Sequence, residues 1–233
     1  SLRAVVWRPP PREEGEEEEE PRRPAVVICA GNPAPALGSS HMGAPLVLAL
    51  FDAAALAGFP LLRFDYRGFG RNARGGDAEE WQVPTPSESA EDAVSAARWA
   101  LEHLSDRIVI AGYSYGTSMS LAVLMAGLAA AFVSLSCGTE QWRMFEGEES
   151  ARRKEDQVRH SRVTVPAIYV CGENDWITNQ SELRRILAAR QDGGAAVQVE
   201  TVPGAKHELL GREAAAARLA ADWLQLWWRG TPP

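Results

Sequence analysis

Residues 106–125, reading DRIVIAGYSYGTSMSLAVLM, constrain this chain more than any other stretch. Ile108, Val109, Ile110 and Ala111 form an unbroken apolar run rich in β-branched residues, the pattern of a strand covered on both faces in a parallel sheet. Thr117 to Ala130, rich in Leu, Met and Ala, reads as the helix that follows. Between them stands Gly112-Tyr113-Ser114-Tyr115-Gly116. A G-x-S-x-G sequence at a strand-to-helix junction places its serine on a sharp, strained turn that exposes the hydroxyl, and glycines on either side let neighbouring backbone come close. The helix N-terminus directly behind the serine supplies a positive dipole end where an oxyanion would form.

The rest of the chain alternates in the same way. Leu2–Trp7, Ala25–Ala30, Pro60–Tyr66, Ala131–Cys137, Val165–Cys171 and Ala196–Val202 read as strands. Pro45–Gly58, Ser87–Leu104, Ser181–Gln191 and Arg212–Trp228 read as helices. In the Ser87–Leu104 helix, Ser87 or Ser89 is the expected cap, and Ala93, Ala97, Leu101 and Leu104 mark the expected buried stripe. Alternating β and α elements imply an α/β fold: a mostly parallel central sheet with helices on both faces. At 233 residues the expectation is one domain over 1–233, carrying an acidic flexible loop at 12–24 and a small lid-like insertion at 139–162.

Charge and cysteine usage narrow the partners. Seven glutamates in one run, Glu13, Glu14 and Glu16 to Glu20, account for the whole formal charge of -7. A neutral domain with an acidic loop has no footprint for nucleic acid or for an anionic membrane surface, although the loop could meet a basic protein partner. Apolar runs fall short of the roughly 18 to 20 residues that cross a bilayer, so a soluble, cytoplasmic protein is expected. Cys29, Cys137 and Cys171 each close a strand without a C-x-x-C pair, which reads as buried reduced thiols rather than a metal site or a disulfide. The glycines of RGFGRNARGGD match no phosphate-binding fingerprint.

In an open α/β sheet, ligands sit outside the carboxyl ends of the strands, so acids and bases just past those ends are the candidates. Asp175 follows the strand IYVC within Gly172-Glu173-Asn174-Asp175, and His207 follows VQVETV within Pro203-Gly204-Ala205-Lys206-His207. Glu173 is the competing acid. Asp65 and Arg67, after the third strand, read as a hydrogen-bonded pair holding their loop, and His103 and His160 as exposed. Trp142, Phe145, Trp176 and His41 are the candidates for substrate contact, whereas Trp223, Trp227 and Trp228, at helical spacing, should pack the last helix.

Taken together, RFDYRGFGR, GYSYG, CGENDWIT and PGAKHE resemble the strand-and-turn segment, elbow, acid turn and histidine loop of the α/β-hydrolase superfamily, and the chain order Ser114, Asp175, His207 is that superfamily's order. The likeness runs from about Ala25 to the last helix and is most similar to small, lid-poor serine hydrolases related to dienelactone hydrolase-like and acylaminoacyl-peptidase-like enzymes. It implies Ser114 as nucleophile, His207 as base and Asp175 as its carboxylate, with no metal and no other cofactor. The oxyanion would be held by the N–H of Tyr115 and by that of Asn32 or, second, Gly31, since Pro33 has none to give. The expected activity is cleavage of a carboxylic ester or thioester, on a small-molecule acyl substrate, through an acyl-enzyme. A peptidase of the same fold and a catalytically silent scaffold in a protein assembly stay open.

Overall fold

A computed structural model describes residues 2–10, 22–32, 40–70, 83–138, 164–192 and 196–230. The strands are β1 (Ala4–Trp7), β2 (Ala25–Cys29), β3 (Leu61–Phe64), β4 (Ile108–Tyr113), β5 (Ala131–Leu135), β6 (Ala167–Gly172) and β7 (Val197–Val202). They form one sheet in the order β1-β3-β2-β4-β5-β6-β7. Among the described residues, only β1 runs antiparallel to its neighbour; all other pairs are parallel. The helices are α1 (Pro45–Leu56), α2 (Pro86–His103), α3 (Tyr115–Met125), α4 (Gln180–Asp192) and α5 (Glu213–Trp228). Each lies close to where the apolar pattern puts it.

Strand side chains alternate between two cores because successive Cβ atoms leave opposite faces. Val26, Ile28, Val109, Ala111, Ile168 and Val170 point to the face covered by α1 and α5. Val27, Cys29, Ile108, Ile110, Tyr169 and Cys171 point to the face covered by α2 and α3, with Leu183 and Leu187 of α4 packed there too. β2, β5 and β6 are buried throughout and β4 as far as Tyr113, as the unbroken apolar runs require, and β1 and β7 at the edges are only partly so. All three cysteines are buried free thiols, and burial pushes that of Cys29 up to about 12.

Some local expectations change. The cap of α2 is Thr85, not Ser87 or Ser89: its side chain accepts the N–H of Glu88, whose carboxylate accepts the N–H of Thr85 in return. Pro86 at the first helical position lets the helix begin before either serine. Small alanines, Ala93, Ala96, Ala97 and Ala100, bring α2 onto the sheet, and Leu101 and Leu104 are only partly buried. Asp65 and Arg67 do not hold their loop as a pair with each other. Asp65 accepts the N–H of Met42, and Arg67 binds Asp92 and Glu91 of α2. Trp223 and Trp227 stack within α5, and the Arg107 guanidinium lies 5.6 Å from the ring centres of Trp227 and Trp228. No helix among the described residues is long and apolar enough to cross a membrane. The whole seven-glutamate run, the 139–162 insertion and His160 lie outside the described residues.

Candidate active site

Ser114 joins β4 to α3 with φ 52° and ψ -116°, a region L-residues rarely occupy. Its N–H donates to Leu135 O at 2.9 Å, and its carbonyl accepts the N–H of Thr117 at 2.9 Å. The glycines around it are required by close approach. A Cβ on Gly112 would sit 2.5 Å from Gly116 O and 2.6 Å from Thr117 Cα, and one on Gly116 would run into the carbonyls of Cys29 and Ala30. Those overlaps would push α3 away from β4 or β2, so the elbow closes only with glycine at both places.

Asp175 and His207 come from turns that follow adjacent parallel strands, β6 and β7. The turns are stitched together: Glu173 N–H donates to Val202 O at 3.0 Å, Asn174 N–H to Ala205 O at 2.8 Å, and Gly204 N–H to the Glu173 carboxylate at 2.8 Å. Glu173 is thus occupied in holding the histidine loop, and Asp175 is the carboxylate that reaches the imidazole. His207 Nδ1 lies 2.9 Å and 3.0 Å from the two Asp175 oxygens, and its Nε2 lies 2.8 Å from Ser114 Oγ. An ionised carboxylate only accepts, so Nδ1 carries the ring proton and Nε2 is left to accept the serine hydroxyl hydrogen.

The carboxylate is itself fixed. Asp175 Oδ1 accepts the N–H groups of Ile177 and Thr178, both at 2.9 Å. Burial pushes the Asp175 carboxyl up, but the bonds from His207 and Thr178 and the neighbouring imidazole outweigh it, holding the group below its ordinary range. The cluster is buried: Ser114, Asp175 and His207 are 5, 7 and 4 % exposed. The hydroxyl that the elbow presents is turned onto the imidazole.

The turn after β2 lies beside this cluster. Tyr66 OH donates to Ala30 O at 3.2 Å, Gly31 N–H to Ser40 Oγ at 3.1 Å, and Ser40 N–H to Asn32 O at 2.8 Å. Gly31's donor is therefore engaged by Ser40. Tyr115, at the first position of α3, packs edge-on against Tyr66 at 6.0 Å. His41 is exposed, with its Nδ1 accepting Gly43 N–H, at the edge of a cavity of about 330 Å³ that Met42, Arg63 and Asp65 also line. Trp176 is 62 % exposed next to Asp175, and Trp142 and Phe145 fall outside the described residues. The roles of Ser40, Tyr66 and Gly172 were not legible in the sequence, because each acts on backbone brought from a distant segment. No group of His, Cys, Asp or Glu that could hold a metal occurs among the described residues.

A family model described as alpha/beta hydrolase fold matches residues 24–136. This chain has the α/β-hydrolase fold. A protein of unknown function from Agrobacterium tumefaciens matches with a TM-score of 0.72 at 20% identity, over 99% of this chain and 93% of that one. A serine hydrolase homologue from Coxiella burnetii matches with a TM-score of 0.68 at 20% identity, over 95% and 90%. A serine hydrolase without lid from Xanthomonas campestris follows at 0.66 and 18%, over 100% and 90%. No curated protein sequence matches. At these identities the likeness fixes the α/β-hydrolase fold and leaves the chemistry to the residues.

Proposed function

We propose that this protein is a serine hydrolase that cleaves a carboxylic ester or thioester through an acyl-enzyme on Ser114. The reading is carried by one observation: a hydroxyl, an imidazole and a carboxylate in unbroken hydrogen-bond contact, at 2.8 and 2.9 Å, at the carboxyl edge of the sheet. Ser114 Oγ attacks the carbonyl carbon while His207 Nε2 takes its proton. Asp175 holds the imidazole in the tautomer that can accept and balances the charge it gains. The tetrahedral oxyanion is held by the N–H of Tyr115 and that of Asn32, each donor lowering the barrier by about 3 kcal/mol. Collapse expels the alcohol or thiol, which leaves with the proton from His207. Water then attacks the acyl-Ser114 ester and gives a proton to the same nitrogen; collapse breaks the bond to Ser114 Oγ, which takes that proton from His207 as the acid is released.

The strain at Ser114 supports this reading. A non-glycine residue at positive φ costs roughly 1–3 kcal/mol and persists where the surrounding structure imposes it, often at reactive sites. Turnover of p-nitrophenyl acetate tests it. The wild-type protein is expected to hydrolyse the ester and Ser114→Ala to lose the activity; equal rates for the two would remove Ser114 from the reaction.

A further inference from the structure

Tyr113 has no part in the reaction as written, yet it touches both halves of the site. It is the last residue of β4, paired with Leu135 of β5, so its backbone is fixed. Its ring lies 6.3 Å from the His207 ring, tilted by 31°. Its Cδ1 would also stand 3.1 Å from a Cβ built on Gly31, so ring and turn are in close contact. Because the ring is half-buried and has only two rotatable bonds, it is a stiff body in contact with both the base and the turn that carries the candidate oxyanion donor.

We infer that Tyr113 is a positioning residue, its ring setting the separation between the His207 imidazole and the Gly31–Asn32 turn while its hydroxyl is dispensable. The assignment rests on the serine-hydrolase reading for its consequence in rate, though not for the geometry. Burial, and after it the carboxylates of Glu208 and Asp175, push the Tyr113 phenol well up, so the group stays neutral. It therefore brings no charge that would compete with Asp175 for a charged imidazole. Gly31 belongs to the same arrangement: a side chain there would meet Tyr113 and Ser40 together.

The test compares Tyr113→Phe with Tyr113→Ala in kcat, KM and the proton resonance of His207 Nδ1. Tyr113→Phe is expected to keep kcat within about two-fold. Tyr113→Ala should lose about 10- to 100-fold in kcat at little-changed KM, the size expected for a reacting group displaced by about 1 Å. The Nδ1 resonance should be intact in Tyr113→Phe and shifted or broadened in Tyr113→Ala. If Tyr113→Ala does not fold, Tyr113→Leu, which keeps bulk but not the flat ring, should show the same pattern in smaller degree. Unchanged kcat and resonance on losing the ring would overturn the inference, as would a loss confined to KM or an equal loss in Tyr113→Phe. Wild-type protein that turns over no ester, with an Nδ1 resonance sensitive to Tyr113→Ala, would instead sink the hydrolase reading while supporting the positioning role.

Discussion

Gly172→Ala is the perturbation that most sharply separates assembly of the site from stability of the fold. Gly172 ends β6, and a Cβ there would stand 2.5 Å from both Ala205 O and Lys206 O, and 2.8 Å from Ala205 C. Ordinary contact needs about 3.5 Å, so the histidine loop must retreat by about 1 Å. His207 is the next residue in that loop. A retreat of that size along the bond carries its Nδ1 from 2.9 Å to beyond hydrogen-bond reach of Asp175, and Nε2 likewise from Ser114. A 1 Å misplacement of a reacting group costs about 100-fold in rate. Overpacking against backbone should also cost about 1–3 kcal/mol of stability, or roughly 2–4 °C in Tm for each kcal/mol at this length. The assay pairs initial rates on p-nitrophenyl acetate with thermal melting, at a temperature where the variant remains folded. A folded Gly172→Ala protein with the wild-type rate would refute the argument that this glycine sets the position of the base.

Two further outcomes follow from the site. Asp175→Asn should lower kcat by about 10⁴-fold, because an amide in that place favours the wrong imidazole tautomer. It should also flatten the loss of stability in acid: the folded Asp175 carboxyl lies below its ordinary 3.8, so its contribution is present above that value and lost as pH falls through the lower, folded one. Melting curves of both proteins between about pH 2 and 6 check the sign, and parallel curves would count against it. Ser114→Gly should melt about 2–4 °C above Ser114→Ala, since only glycine takes φ 52° without strain; no difference would mean that the turn stores none.

How much of this was legible in the chain depends on the range over which each feature acts. Ile108 to Ala111 and the helix after it are specified by local apolar spacing, so both appear close to where the pattern puts them. Gly112 and Gly116 were assigned to close backbone approach, and their partners are indeed backbone. The cap of α2 was misplaced because Ser87 and Ser89 resemble caps as residue types, whereas the reciprocal bonds of Thr85 and Glu88 and the position of Pro86 decide it. Asp65 and Arg67 were paired because they are close in sequence, but Met42 and Asp92 come to them from other elements. Antiparallel pairing of β1 with β3, the clamp of Ser40 on Gly31 and the place of Tyr113 arise only once distant segments meet. Neighbours in the sequence cannot report such contacts.

The central claim is that Ser114 is a nucleophile activated by His207. Mapping a fluorophosphonate adduct by mass spectrometry of the digested protein tests it most directly. One adduct on the peptide bearing Ser114, absent from His207→Ala, is the predicted result. An unlabelled wild-type protein, a label on another residue, or equal labelling of Ser114 without the imidazole would contradict it.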